Sequence, residues 1–422
     1  LFDLFSYPTA TVAYFGYVGI FVLLIGGFYG VLSKIGAYRT LLDKIVAKFK
    51  GKEGLLLAII MIIMAVATSV CGLSLILLFF FPLIISLILL MGYNKLVAAG
   101  VTVGSVMIGL IGTTFAGGTL DLLNQVLGLN MQTELVTKII ILVIGLVLLI
   151  FNTLMYAKKI KGTSVEKKEE YIPEKIESKR KVWPLVLVLD IVFIIMVLSF
   201  ISWYTAFNVD IFDQATDAIA GFEVGGFTIF SKILGSTLPA FGYWSINEIM
   251  VTLMVAIIVI ALIYRVKFND FITNFLNGAK KALGPAALML LIYTCLIIVV
   301  YNPFQLVITD FLLGLTKGFN VVTSTIVALL SSLFNVEMAY SIQNTVPFMT
   351  SVITDTSVYP LIAIIFQTMY GFVMLVAPTS VILMGTLAYL KIPYQQWLKY
   401  IWKLLLQLLV VLFIIFVIVM LV

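Results

Sequence analysis

The 422-residue chain carries 26 Lys and Arg against 20 Asp and Glu, a net charge of +6, and no histidine. Hydrophobic residues make up 62% and charged residues 11%, with a mean hydropathy of +1.18, which excludes a soluble globular domain with its ~25% charge. The missing histidine excludes imidazole metal sites, histidine proton relays and histidine-based triads.

Main chain in lipid must pair its polar groups within its own segment, so apolar runs of about 20 residues are read as transmembrane helices. Simple spans are predicted at about 13–36, 134–158, 183–204, 247–265, 285–302 and 398–422. The remaining hydrophobic stretches are interrupted. Residues 54–92 are too long for one span and carry Thr68, Ser69, Cys71, Gly72 and Ser74 near the middle, which predicts a re-entrant helical hairpin with a polar tip at membrane depth. Residues 95–117 run apolar as far as Gly112, Thr113 and Thr114, where small residues open the helix.

The second half repeats this order. Residues 321–353 hold an apolar arm, a polar centre from Asn335 through Glu337, Tyr340, Ser341, Gln343, Asn344 and Thr345, and then Pro347. Residues 358–391 are broken at Ala377-Pro378-Thr379-Ser380, because proline lacks the N–H and clashes with the preceding turn. The fold expected is therefore an all-α polytopic membrane protein of two repeats, residues 1–158 and 183–422, each with one hairpin and one broken helix.

Basic residues cluster in short loops, the positive-inside pattern rather than a nucleic-acid surface. Lys34, Arg39, Lys44, Lys48, Lys50 and Lys52 fill one loop; Lys158, Lys159, Lys161, Lys167, Lys168, Lys175, Lys179, Arg180 and Lys181 fill another. Both are expected in the cytoplasm of a protein of the cytoplasmic membrane. Segments 118–133 and 207–246, with Asp121, Asp210, Asp213, Asp217 and Glu223 against Lys232 alone, are expected outside. Counting spans, the first hairpin enters from the cytoplasm, residues 303–320 lie outside, and the second hairpin enters from the exterior. The repeats are thus inverted, as in many secondary transporters with a midplane site. Residues 159–182 join them as a solvated cytoplasmic linker, and segments 37–50 and 268–282 read as interfacial arms.

One helix precedes the first hairpin and three precede the second, so N-terminal helices are expected ahead of Leu1; no charged n-region with a cleavage site follows it, so no signal peptide is expected. Cys71 and Cys295 read as small core residues. No P-loop, metal-ligand spacing or nucleophile constellation is present, so neither an enzyme nor an ATP-driven pump is expected.

Unwound main chain at membrane depth is tolerated only beside protein or water. Broken helices offer free N–H groups that suit a carboxylate and free carbonyls that suit a cation. The expected substrate wall is Ser69, Gly72, Ser74, Thr113, Thr114, Ser341, Gln343, Asn344, Gln367, Tyr370, Pro378, Thr379 and Ser380, and the expected coupling-ion or proton site is Thr68, Gly112, Asn335 and Glu337. Each has a plainer reading. Small residues also serve close helix packing, Glu337 could reach exterior water, Gln367 could make an ordinary interhelical hydrogen bond, and Asp190 reads as a snorkelling or structurally paired carboxylate.

The stretch Gly26-Gly27-Phe28-Tyr29-Gly30-Val31-Leu32 with Gly36-Ala37-Tyr38, and the ending Ala377-Pro378-Thr379-Ser380, Leu383-Met384 and Ile392-Pro393-Tyr394-Gln395-Gln396-Trp397-Leu398-Lys399, resemble the YfcC-type, DcuC-like anaerobic four-carbon dicarboxylate carriers of the ion transporter superfamily. The resemblance implies an inverted-repeat fold, one inner and one outer hairpin, a homodimer with a scaffold and a moving transport unit, and sodium or proton coupling, with no further cofactor. It places Ser69 to Gly72 at the inner tip, Gly112 to Thr114 at the first break and Pro378 to Ser380 at the second. The chain departs from the family at Glu337-Met338-Ala339-Tyr340-Ser341, where a Ser/Gly-rich tip followed by Gln is usual, and at Tyr370 and Met374, where an acid and Asn are usual. The function expected is secondary active transport of a small organic anion, a dicarboxylate or other short carboxylate, by elevator-type alternating access coupled to sodium, protons or exchange. An amino-acid carrier or antiporter of the same fold is the alternative, and a channel or non-transporting membrane subunit the alternative of another class.

Overall fold

The structure, a computed structural model, describes residues 2–160, 170–176, 180–234, 239–316 and 318–421. Lys161, Lys167, Lys168 and Lys179 of the predicted basic linker, and Val422 at the end of the last predicted span, lie outside the described residues. Among the described residues, eight helices are long and apolar enough to cross a membrane: Phe5–Leu32, Glu53–Cys71, Leu135–Ile160, Trp183–Phe200, Ile246–Ile263, Phe268–Tyr301, Thr356–Met374 and Tyr394–Leu421. The chain is a helical, multi-pass membrane protein. Its described β-structure includes one two-residue pairing, Glu223–Val224 with Phe227–Thr228, turned by Gly225 and Gly226.

The first helix, Phe2–Leu32, lies antiparallel along Phe268–Tyr301 for most of its length. At one end Tyr7 stacks on Tyr301 at 5.9 Å, further along Thr11 Oγ1 donates to Thr294 Oγ1 at 3.1 Å, and Phe15 stacks on Tyr293 at 4.4 Å. At the other end Gly26 and Gly30 meet Gly278. A Cβ on Gly26 would stand 2.7 Å from the Gly278 carbonyl oxygen, so only a glycine pair spaced by four lets the two backbones touch. The Gly26 to Leu32 stretch is therefore a packing seam.

This pairing corrects one expectation. Residues 268–282 are not a separate interfacial arm before a span at 285–302; they are the first half of one continuous helix that runs through Pro285. Contact with the glycines of the first helix holds that half against the bundle, with Gly278 and Ala282 buried. One further expectation is corrected. Cys295 is exposed on the outer face of this helix, whereas Cys71 is buried. The segment after it, expected to lie outside, contains the helix Gln305–Thr316, which buries Gln305, Thr309 and Leu313.

The interrupted stretches break where small and polar residues interrupt the apolar pattern. Glu53–Cys71 ends at Gly72, whose φ of +72° is the left-handed conformation that glycine adopts without strain, and the chain resumes as Ile76–Phe80 and Phe81–Leu90. This first hairpin is uneven, since its leading arm is by itself long enough to span. Lys95–Ile111 is helical with a π-turn at Gly100–Gly104, opens at Gly112, and resumes at Thr119–Leu127. Val321–Phe334 and Met338–Val352 form the second hairpin around Asn335, Val336 and Glu337. Its arms are clasped by Ser331 Oγ, 2.6 Å from Ser341 Oγ and 2.7 Å from Thr345 Oγ1. Tyr359–Met374 opens into Leu375 to Ser380 and resumes as Val381–Leu390.

The linker is not wholly solvated. Tyr171 is 7% exposed, and its carbonyl accepts from Ser86 Oγ at 2.6 Å. The reason is local composition, because Glu170-Tyr171-Ile172-Pro173-Glu174 sets three apolar residues between two carboxylates. Asp190, on Trp183–Phe200, is exposed on that helix and forms no ion pair among the described residues.

Candidate functional site

Each break is tied to the hairpin tip of its own half. In the first half, Ser69 Oγ donates to the Gly112 carbonyl at 2.6 Å, and the Thr114 N–H donates to the Ser69 carbonyl at 2.9 Å. In the second half, Thr379 Oγ1 donates to the Leu333 carbonyl at 2.8 Å, and the Tyr370 hydroxyl to the Val336 carbonyl at 2.9 Å. Opening a helix frees main-chain groups that must find new partners away from water, and these bonds supply them.

The halves then meet. A Cβ on Gly371 would come within 2.5 Å of the Ile111 nitrogen, so the two broken helices touch where the residue has no side chain. One turn away, Gln367 Nε2 donates to the Thr113 carbonyl at 2.7 Å. Between the tips and breaks lies a cavity of about 210 Å³ whose polar wall includes Ser74, Thr113, Tyr293, Glu337, Gln367 and Ser380. Gly72 and Tyr370 also line it, with Met107, Leu110 and Met374 as part of its apolar wall.

Two of those side chains carry an unpaired atom. Gln367 and Ser380 are each 1% exposed, and neither Gln367 Oε1 nor Ser380 Oγ has a hydrogen-bond partner among the described residues. Unpaired buried polar atoms carry a desolvation cost that a bound polar group removes. Glu337 is half-buried at the start of Met338–Val352 and accepts a 2.5 Å hydrogen bond from the Tyr293 hydroxyl. Among the described residues, no Lys or Arg lines the cavity.

The predicted site residues divide three ways. Gly72, Ser74, Thr113, Glu337, Gln367, Tyr370 and Ser380 line the cavity. Ser69, Thr114, Ser341 and Thr379 stand behind it, and their hydroxyls are spent on ties within the protein. Thr68 Oγ1 bonds to the Met64 and Leu73 carbonyls, and the Gly112 carbonyl is taken by Ser69. Asn335 is fully buried, donating to the Ser331 carbonyl at 2.9 Å while its Oδ1 has no partner. Gln343 and Pro378 are exposed and Asn344 half-buried, and none of the three lines the cavity. Helical phase explains Gln343: Ser341 and Thr345 turn toward the other arm, which turns Gln343 away.

Sequence reasoning missed three contributors. Tyr293 reaches Glu337 from a helix that reads as a simple span. Trp397 Nε1 donates to the Leu375 carbonyl at 2.8 Å, and the Tyr394 hydroxyl donates to the Val376 carbonyl. Together they satisfy main chain freed at the second break, which accounts physically for Tyr394 and Trp397 in the ending. A detectable sign was there, since a buried Trp or Tyr needs a partner for its polar atom.

With the geometry in place, comparison with known proteins gives three findings. A protein of Haemophilus influenzae whose function is uncharacterised is 24% identical over 145 residues, which is 34% of this chain and 28% of that relative. The matched part thus spans under a third of the relative's length. The Alcanivorax borkumensis YdaH transporter, whose crystal structure is described as having an unusual topology, is similar over 98% of this chain and 87% of that chain, at a TM-score of 0.44 and 10% identity. A family model described as DcuC, the C4-dicarboxylate anaerobic carrier, matches residues 11–422. Matched over nearly its whole length, the chain belongs to the DcuC family, described as C4-dicarboxylate anaerobic carriers.

Proposed function

We propose that the protein is a secondary active transporter that moves a small carboxylate of the four-carbon dicarboxylate class across the cytoplasmic membrane. The observation that carries this reading is one cavity walled by both tips and both breaks, with Gln367 and Ser380 in its wall and Gln367 Oε1 and Ser380 Oγ unpaired among the described residues. Ser74 and Ser380 supply hydroxyls to a carboxylate, and the amino end of Val381–Leu390 supplies unpaired N–H groups and a favourable dipole.

Charge assigns a role to Glu337. An ionised carboxyl beside an anionic substrate, with no base lining the cavity, is repulsive at low dielectric. Glu337 therefore takes up a proton, or a sodium ion beside it, as the anion binds. The proton is the better fit, because the Gly112, Thr113, Leu375 and Val376 carbonyls already accept hydrogen bonds and are poorly placed to hold a cation. The same carboxyl would suit the ammonium group of an amino acid, which keeps amino-acid transport or antiport as the second reading.

The parallel ties, Ser69 to Gly112 in one half and Thr379 to Leu333 in the other, support two inverted repeats over residues 1–158 and 183–422. We read residues 159–182 as cytoplasmic by their charge, the tips and breaks as a unit that moves in elevator fashion past the remaining helices, and the working form as a homodimer, as the family resemblance implies. Purified protein in proteoliposomes, offered radiolabelled succinate or glutamate under imposed proton or sodium gradients, tests the reading. Saturable, concentrative succinate uptake driven by an inward proton gradient is expected. Glutamate uptake alone would favour the second reading, flux that neither saturates nor concentrates would mark a channel, and no flux of any solute would mark a non-transporting subunit.

A further inference from the structure

A second cavity, of about 270 Å³, is separated from the central one by roughly one helical turn. On Phe268–Tyr301, Tyr293 lines the central cavity and Met289 lines the second; on Val381–Leu390, Ile382 lines the central cavity and Gly385 the second. Met289 sits in the notch left by Gly385, its Sδ 3.1 Å from where a Cβ would stand.

The chemistry of the two spaces differs. Bases absent from the central cavity line the second, where Lys34 and Lys281 stand with Asn274 and Asn277. The buried Tyr29 and Tyr38 line it also. Such a wall attracts an anion and offers donors to it.

Across this cavity runs the linker segment 170–174. Tyr171 is its anchor: the ring packs edge-on to Tyr389 at 5.5 Å, its hydroxyl donates to the Tyr389 carbonyl at 3.1 Å, and Lys95 Nζ lies 4.9 Å from the ring centre. Arg39 donates to the Pro173 carbonyl at 2.8 Å. The flanking carboxylates take bases, with Glu174 2.9 Å from Lys34 and Glu170 2.7 Å from Lys391. The hydrogen bond from Lys391 holds the Glu170 carboxyl below its usual range, so it is ionised at neutral pH.

We propose that the second cavity is an anion-accepting vestibule on the substrate route, and that the strap 170–174 is its tethered lid, whose Glu174 holds Lys34, a base that an entering carboxylate would otherwise meet. Exposed ion pairs are individually weak, so the buried Tyr171 supplies most of the closure and the glutamates tune it. The class of anion rests on the carboxylate-carrier reading; the closure does not.

Thiol accessibility separates the two. With Cys71 and Cys295 changed to Ser, a single reporter Thr386→Cys is placed in the vestibule wall and treated with an anionic sulfonatoethyl or a cationic trimethylammonium thiosulfonate reagent. Intact strap is expected to give slow labelling. Tyr171→Ala is expected to speed it by about ten-fold, the loss of one buried aromatic anchor being of that order, and the anionic reagent is expected to react faster than the cationic one. Succinate is expected to slow the reaction in Tyr171→Ala. Should that variant fail to insert, Ser86→Ala with Lys391→Gln removes two tethers and keeps the ring, with a several-fold increase expected. Labelling as fast with the intact strap as in the strap variants, or faster with the cationic reagent, would overturn the lid and vestibule even if central-site transport holds. Unprotected but fast anionic labelling would overturn the assignment of a carboxylate to the vestibule.

Discussion

Gln367 on the second broken helix donates to the Thr113 carbonyl in the first break at 2.7 Å, so a side chain from one half holds the unwound main chain of the other. Its other amide atom, Oε1, is buried without a partner among the described residues, and Gln367 lines the cavity. One residue thus joins the halves and keeps an unpaired acceptor beside the space between them.

Gln367→Leu keeps much of the volume and removes both functions. The Thr113 carbonyl loses its donor, and an unpaired buried group costs about 1–3 kcal/mol. A lower melting temperature in detergent and a drop in uptake of at least about ten-fold are expected, the latter following from a loss of about 1.4 kcal/mol in substrate binding. Wild-type uptake by a folded Gln367→Leu protein would remove this residue from the site.

Glu337→Gln separates binding from coupling. The amide oxygen can still accept from the Tyr293 hydroxyl, so the tip keeps its 2.5 Å tie while losing the ability to ionise. Exchange of internal for external substrate is expected to persist, and the response to an imposed proton gradient to disappear. Gradient-driven accumulation at the normal level in this variant would show that the proton travels elsewhere.

How much of this was readable beforehand depends on the kind of residue. Helix breaks at Gly72, Gly112 and Pro378 were legible because glycine and proline act on their own backbone, whatever surrounds them. Which side chains face the cavity was less so. Ser69, Thr379 and Ser380 have the same composition signature, yet Ser69 and Thr379 bind main chain while Ser380 lines the cavity with its hydroxyl unpaired among the described residues, since the choice depends on neighbours brought in from distant segments. Tyr293 was invisible for the same reason: it sits in an uninterrupted apolar helix, and only tertiary contact brings it to Glu337. The linker strap escaped notice because charged flanks outweighed Tyr171, Ile172 and Pro173 in a reading based on charge.

Gly26→Leu tests the packing seam. The new side chain would meet Ala282 and the Gly278 carbonyl, with even its Cβ only 2.6 Å from the Ala282 Cβ. Overpacking of this kind costs about 1–3 kcal/mol, and loss of a monodisperse species on size exclusion is expected. Gly51→Leu, at a position with no atom near its would-be Cβ but a φ of +80°, is expected to be milder.

Trp397→Phe removes the indole donor to the Leu375 carbonyl while keeping an aromatic ring in the buried position. A stability loss of about 1–3 kcal/mol is expected from the unpaired carbonyl, read as a lower melting temperature, with uptake falling because the second break is less firmly held. An unchanged melting temperature and uptake would separate the ending from the site.

The most direct measurement is a cryo-EM map of the protein in lipid nanodiscs with saturating succinate, compared with a map without it. Added density bounded by Ser74, Thr113, Glu337, Gln367 and Ser380 is the result expected. An empty central cavity with ligand density elsewhere, in a preparation that transports succinate, would contradict a site formed where the two breaks meet.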